Sequence, residues 1–129
     1  MAFKQVRRRI RRRLIAPTVS IARAGIYFNR AAVELVGQDK RAVLLSIDVD
    51  GKAPVIGMWF HKDKPTSPHT QDAFAVVPYP SGVSRVSCKR FIEDYGLLRH
   101  IKSLGKVSFM LILDKEQETG TDFYHAILE

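Results

Sequence analysis

A strand-strand-helix-strand-strand order runs through residues 17–61 and returns through 73–129, and neither copy is large enough to bury its own apolar face. In the first copy, TVSIAR and IYFN are short extended runs separated by an Ala24-Gly25 turn. Asn29 suits the N-cap of RAAVELV, whose Ala32, Val33 and Val36 form an apolar stripe. Gly37 is placed to close that helix in the left-handed conformation. RAVLLSIDV then reads as an apolar strand, Asp50-Gly51 as a hairpin signal, and PVIGMWFH as the return strand.

The polar stretch at 62–72, with Pro65 and Pro68, reads as a linker or surface loop. Beyond it AFAVVPYP and SRVSC are strands, and Pro78 and Pro80 mark a strand end or an edge position. KRFIEDYG is a helix ending at Gly96, LLRHIKSLG extends or follows it, and KVSFMLILD with TDFYHAILE closes as a hairpin. Residues 26–37 lie over 85–96, setting Ala32 on Phe91, Val33 on Ile92, Val36 on Tyr95 and Gly37 on Gly96. AVLLSID lies over SFMLILD after a longer connection in the second copy. Identity is slight, so the similarity is one of pattern. The expected fold class is α+β: two tandem β-β-α-β-β units that share a core as one pseudo-two-fold, β-rich domain behind a basic N-terminal arm.

That arm, residues 1–16, is the strongest functional signal. Lys4, Arg7, Arg8, Arg9, Arg11, Arg12 and Arg13 fall within it without one acid. The chain has 21 Lys+Arg and 13 Asp+Glu, so the remaining 14 basic residues nearly balance the acids. A flexible arm holding nearly all the excess charge suits a polyanion, and arginine forks suit phosphate in particular. Nucleic acid is therefore the expected partner, DNA ahead of RNA. A solvated tail that aids solubility is the plainer account of such a block. Ile10, Leu14 and Ile15 permit a short amphipathic helix on a partner.

GIYFNRAAVELVG, followed by a strand and an Asp-Gly hairpin, resembles the AbrB/SpoVT-type swapped-hairpin DNA-binding domain. That resemblance implies a β-β-α-β-β unit whose hairpins exchange with a second copy, supplied here by the same chain. It also implies that basic residues at the first hairpin turn and the helix start hold DNA. The matching positions are Arg23 and Arg30 in the first copy and Arg85, Lys89 and Arg90 in the second. A transcription regulator or accessory DNA-binding factor in a bacterial or phage setting, in the cytoplasm, is the role it implies. Where that family carries Pro before the helix, this chain has Asn29 and Cys88. Read from Ala42 to Gly96, the β-β-β-β-α order is instead similar to the positive-cofactor/Whirly class of single-stranded nucleic-acid binders. Trp59, Phe60 and Phe74, with Lys62 and Lys64, would then offer a stacking platform. Core packing is the simpler expectation for Trp59 and Phe74.

Other constellations carry less. His61, Asp63, His69 and Asp72 are close in sequence but match no structural zinc spacing. Cys88 is the only cysteine, which excludes an internal disulfide; the basic residues around it would favour a reactive thiolate, but a small apolar cap residue is the simpler account. Asp48 and Asp50 belong foremost to a turn sequence. His100 and His125 read as structural groups. No phosphate-binding loop, dinucleotide fingerprint or nucleophile elbow occurs, so no enzyme activity, cofactor or metal is expected. No apolar run reaches the length of a membrane span. The alternative reading is an assembly subunit, as a homo-oligomer or in a larger complex. Its arm would dock on nucleic acid or an acidic protein, and its apolar C-terminal hairpin would add to a partner's strand.

Overall fold

Strands form where apolar residues alternate, and the inward set of each strand meets the others in one core. The computed structural model describes residues 16–62, 73–114 and 123–129. β1 (Thr18–Ile21) and β2 (Gly25–Phe28) bury Val19, Ile21, Ile26 and Phe28. β3 (Ala42–Asp48) and β4 (Val55–His61) bury Val43, Ile56, Met58 and Phe60. β5 (Phe74–Pro78) and β6 (Ser84–Ser87) contribute Val76 and Val86. β7 (Ser108–Asp114) and β8 (Phe123–Ile127) add Phe109, Leu111, Tyr124 and Ala126.

The eight strands form a closed antiparallel barrel in the order β1-β2-β6-β5-β3-β4-β8-β7, and the β1–β7 ladder completes the circle. The hairpins interlock. β1–β2 lies between β7 and β6, and β3–β4 lies between β5 and β8. Exchanging β1–β4 for β5–β8 maps this set of neighbours onto itself.

Helices cover both ends. α1 (Arg30–Val36) turns Ala32, Val33 and Val36 toward Phe28, Phe60 and Val76, leaving a cavity of about 10 Å³, too small for a ligand. Phe60 meets Phe28 and Tyr124 edge to face at centroid distances of 5.5 and 5.6 Å. Such pairs contribute roughly 0.5–1.5 kcal/mol each beyond their buried area. The Tyr124 hydroxyl donates to the Leu35 carbonyl at 3.2 Å, tying α1 to the wall. At the other end, α2 (Lys89–Asp94) and α3 (Leu97–Leu104) bury Ile92, Leu97 and Ile101. His100 Nε2 lies 2.6 Å from the Leu128 carbonyl.

The β-rich α+β class holds, and several expectations change in detail. Gly96 is left-handed (φ 60°, ψ 31°), so it ends α2 and starts α3 as a separate third helix. Tyr95, aligned by pattern with buried Val36, is 51% exposed because the chain turns away there. Gly37 closes α1 through its N–H to the Val33 carbonyl, but at φ 112° and ψ 130° it lies outside the left-handed well. Asp50-Gly51 is not a two-residue turn: Asp48 pairs with Val55, and 49–54 form the loop. Pro78 ends β5 without marking an edge, because closure leaves none among the described strands. Of the 62–72 linker, residues 63–72 lie outside the described residues.

Asn29 joins three pieces of chain. Its Oδ1 accepts from the N–H groups of Ala32 and Thr18, and its Nδ2 donates to the Ala16 carbonyl. Asn29→Ala removes the helix cap and both ties to the start of β1, so we expect a loss of about 2 kcal/mol in urea unfolding. Asn29→Asp, which keeps the acceptor, should lose less.

Candidate nucleic-acid interface

The basic stretch joins the barrel at a defined place. Residues 4–13, with Arg7, Arg8, Arg9, Arg11, Arg12 and Arg13, lie outside the described residues. The chain that follows them is held at Ala16 by Asn29 and at Pro17, whose carbonyl accepts from the Leu111 N–H. Arg30 comes one residue after the Asn29 anchor. Its guanidinium pairs with Glu34 at 3.4 Å along the exposed face of α1. Its aliphatic stem lies against Gly82 of the β5–β6 loop, where a Cβ would come within 3.2 Å of it. Between them a cleft of about 390 Å³ opens, lined by Arg30, Gln38, Tyr79, Ser81 and Ser84 among others.

Arg85 faces outward from β6, where the ladders set it between Tyr27 of β2 and Val77 of β5. Its guanidinium carbon sits 5.7 Å from the centroid of the Tyr27 ring. The Tyr79 hydroxyl, with further help from Tyr27, raises its pKa above the ordinary arginine value. Its Nε is shielded from solvent and has no hydrogen-bond partner among the described residues. A guanidinium placed over the Tyr27 ring and hydrogen-bonded to Tyr79 keeps its charge, which suits phosphate or the face of a base.

Arg23, Lys89 and Arg90 occupy the opposite end. The Cys88 N–H donates to the Ala24 carbonyl at 3.1 Å, so the β1–β2 turn carrying Arg23 meets the start of α2. All three side chains are exposed, and Lys89 stands 3.9 Å from Glu93. Arg23 and Arg30 are thus separated by the length of β2, about 20 Å from the rise of an extended strand. The structure brings Arg30 to the arm junction and places Arg85 one strand away from β2. It gathers Arg23, Lys89 and Arg90 from the two halves of the chain at the far pole.

Of the proposed stacking residues, Phe60 is core and Phe74 packs against the core. Trp59 instead points outward, half-buried against Phe123. The core placement expected for Trp59 is therefore overturned, because its neighbours Met58 and Phe60 take the inward positions. Among the described residues no three potential metal ligands cluster, and Asp63, His69 and Asp72 lie outside them. Asp48 Oδ1 accepts from the Asp50 N–H, a turn contact. No helix of the described residues is long and apolar enough to cross a membrane. Comparison of the chain with protein-family models, curated proteins and solved structures finds no match.

Sequence reading missed Tyr27 and Tyr79. The alternation Ile26, Tyr27, Phe28 places Tyr27 outward, but its partner across the ladder is set by long-range pairing. Cys88 is a buried residue at the start of α2, the simpler of its two expected roles. It is 2% exposed, and burial pushes its thiol up to about 11 against a weaker opposing hydrogen bond from Ile26. Because the folded value is the higher one, the stabilisation is complete below about pH 9 and is lost as pH rises through about 11. A thiol-exchange reagent at pH 8 should leave the native chain unmodified and react within seconds once guanidinium unfolds it.

Proposed function

We propose that this protein binds nucleic acid, with DNA the favoured partner, as a transcription regulator or accessory DNA-binding factor. The observation that carries the reading is the concentration of seven basic residues in 4–13, tethered at Ala16 beside Arg30 and one strand from the Tyr27–Arg85 pair. On this reading the arm supplies sequence-independent attraction by releasing counterions, and the barrel sets orientation. The architecture is read as two β-β-α-β-β units interlocked in one chain. The invariance of the strand neighbours under exchange of the halves supports it, as does each hairpin lying between strands of the other half. Exchange of hairpins is also what the AbrB/SpoVT resemblance implies.

A second reading, an assembly subunit, is favoured by the outward Val107 and Met110, which are 52% and 60% exposed. Such a partner would dock on the outer surface of the barrel, since the described strands offer no edge for addition.

Titration of labelled DNA at several salt concentrations decides between the two. If about six arm charges engage duplex phosphates, log K falls against log salt with a slope near −5. Deleting residues 2–13 should bring that slope toward zero while the thermal transition stays in place. Arg85→Ala should weaken binding severalfold at constant salt and lower the slope by about one. Failure of the intact chain to bind DNA or RNA even at low salt would favour the assembly reading.

A further inference from the structure

The outer face of β4 and β8 carries a groove to which no described arginine contributes. Gly57 on β4 pairs with Ser46 of β3 on one side and His125 of β8 on the other. A Cβ at Gly57 would come within 2.5 Å of the Ser46 hydroxyl and 2.9 Å of the Phe123 ring. The bare backbone is what lets that ring lie over the strand. Phe123 contacts Trp59 at a centroid distance of 4.5 Å, and His125 stacks beside Phe123 at 6.1 Å with 23° between the planes. All three rings are half-buried, so each keeps surface toward solvent. Beside them a shallow groove of about 300 Å³ runs over Gly57, bordered by Ser46, Asp48 and Val55.

The chemistry of this groove selects a ligand class. Among the described residues none that lines it is Lys or Arg, and Asp48 stands at the rim, so a phosphate is disfavoured there. Flat rings with a hydroxyl and an imidazole at hand suit a planar, neutral heteroaromatic group. Its position supplies the rest. β1 pairs with β7, the Leu111 N–H holds the Pro17 carbonyl, and Ile112 pairs with His125. Pro17, near the start of the described chain, is therefore two strand spacings from the β8 rings, about 10 Å.

We propose that the groove bordered by Phe123 and His125, with Trp59 packed against Phe123, stacks an unpaired base of a single-stranded nucleic acid. The proposal rests on the nucleic-acid reading and narrows it to strands with exposed bases. Ring faces accept any base, so little sequence preference is expected from this groove.

Trp59 is the sole tryptophan and reports on the groove through its contact with Phe123. The full chain is titrated with a thymidine oligomer of about twelve nucleotides and with a duplex of equal length, reading Trp59 fluorescence and anisotropy of the labelled DNA. The single strand should change Trp59 emission and the duplex should not. Phe123→Ala should weaken single-strand binding about tenfold and leave duplex binding within twofold. Because Phe123→Ala removes part of the Trp59 packing, Phe123→Tyr, which restores a ring, should recover most of the affinity. Binding of both DNAs with unchanged emission overturns the groove while leaving the nucleic-acid reading standing. So does single-strand affinity that is insensitive to Phe123→Ala in a chain with native circular dichroism. Binding of neither DNA overturns both, and a chain that then self-associates through this face assigns the rings to a protein contact.

Discussion

Closure through the β1–β7 ladder holds the rest of the structure together. Only Thr18, Val19 and Ser20 pair with Met110, Phe109 and Ser108, supported by the Pro17 and Ile21 backbone bonds to Leu111 and Val107. This short seam joins nearly opposite ends of the chain, so the loop it closes is long and entropically costly. What repays that cost is interlocking. Beyond its own two strands, the first hairpin hydrogen-bonds only to strands from the second half, so the sheet cannot close around the core until both halves are in place. The seam and the core form together, and cooperative folding follows from topology.

The same closure decides where a partner can bind. Each described strand has a hydrogen-bonded neighbour on both sides, so none is an edge strand, although β5 pairs with β3 only at Ala42 and Val43. The ends are covered by α1 and by α2 with α3, and the mouth beneath α1 is packed too tightly for a ligand. Only side chains on the outer wall and loops at the rims remain. A barrel of this size is filled by its own residues, so binding belongs to its exterior. That constraint gives the outward Tyr27, Arg85, Trp59 and Phe123 a meaning they would lack on an open sheet.

Local features were legible in the sequence because they depend on nearest neighbours. Asn29 as a helix cap, the alternation of Val43, Leu45 and Ile47, and the matched stretches that became β3 and β7 all follow from spacing alone. The failures share a different cause. Whether Trp59 or Phe60 faces the core turns on the phase of β4 against its neighbours, and VIGMWFH is apolar on both faces. Gly57 interrupts the outer row without announcing why. Its role appears only when Phe123, 66 positions away, is laid over it by the β4–β8 register. Arg23 and Lys89 were read in different copies, one at a hairpin turn and one at a helix start, yet the fold joins them at one pole, because the first hairpin leans on the second half.

The proposed division of labour follows from how each interaction responds to solvent. An arginine arm acts over a Debye length of about 10 Å and weakens steeply with salt, without distinguishing one strand from two. Aromatic stacking acts only on contact, is insensitive to salt, and requires a base that is not paired. Placing the first kind of group on a tether and the second on a rigid wall separates capture from discrimination. The wall is rigid because Trp59 and Phe123 brace each other above a strand that has no side chain to displace them. On the proposed reading, charge sets how strongly a polyanion is attracted, whereas β4–β8 register sets which form of it can stay. A change in barrel register by one residue would turn Trp59 inward and abolish the second property while leaving the first untouched.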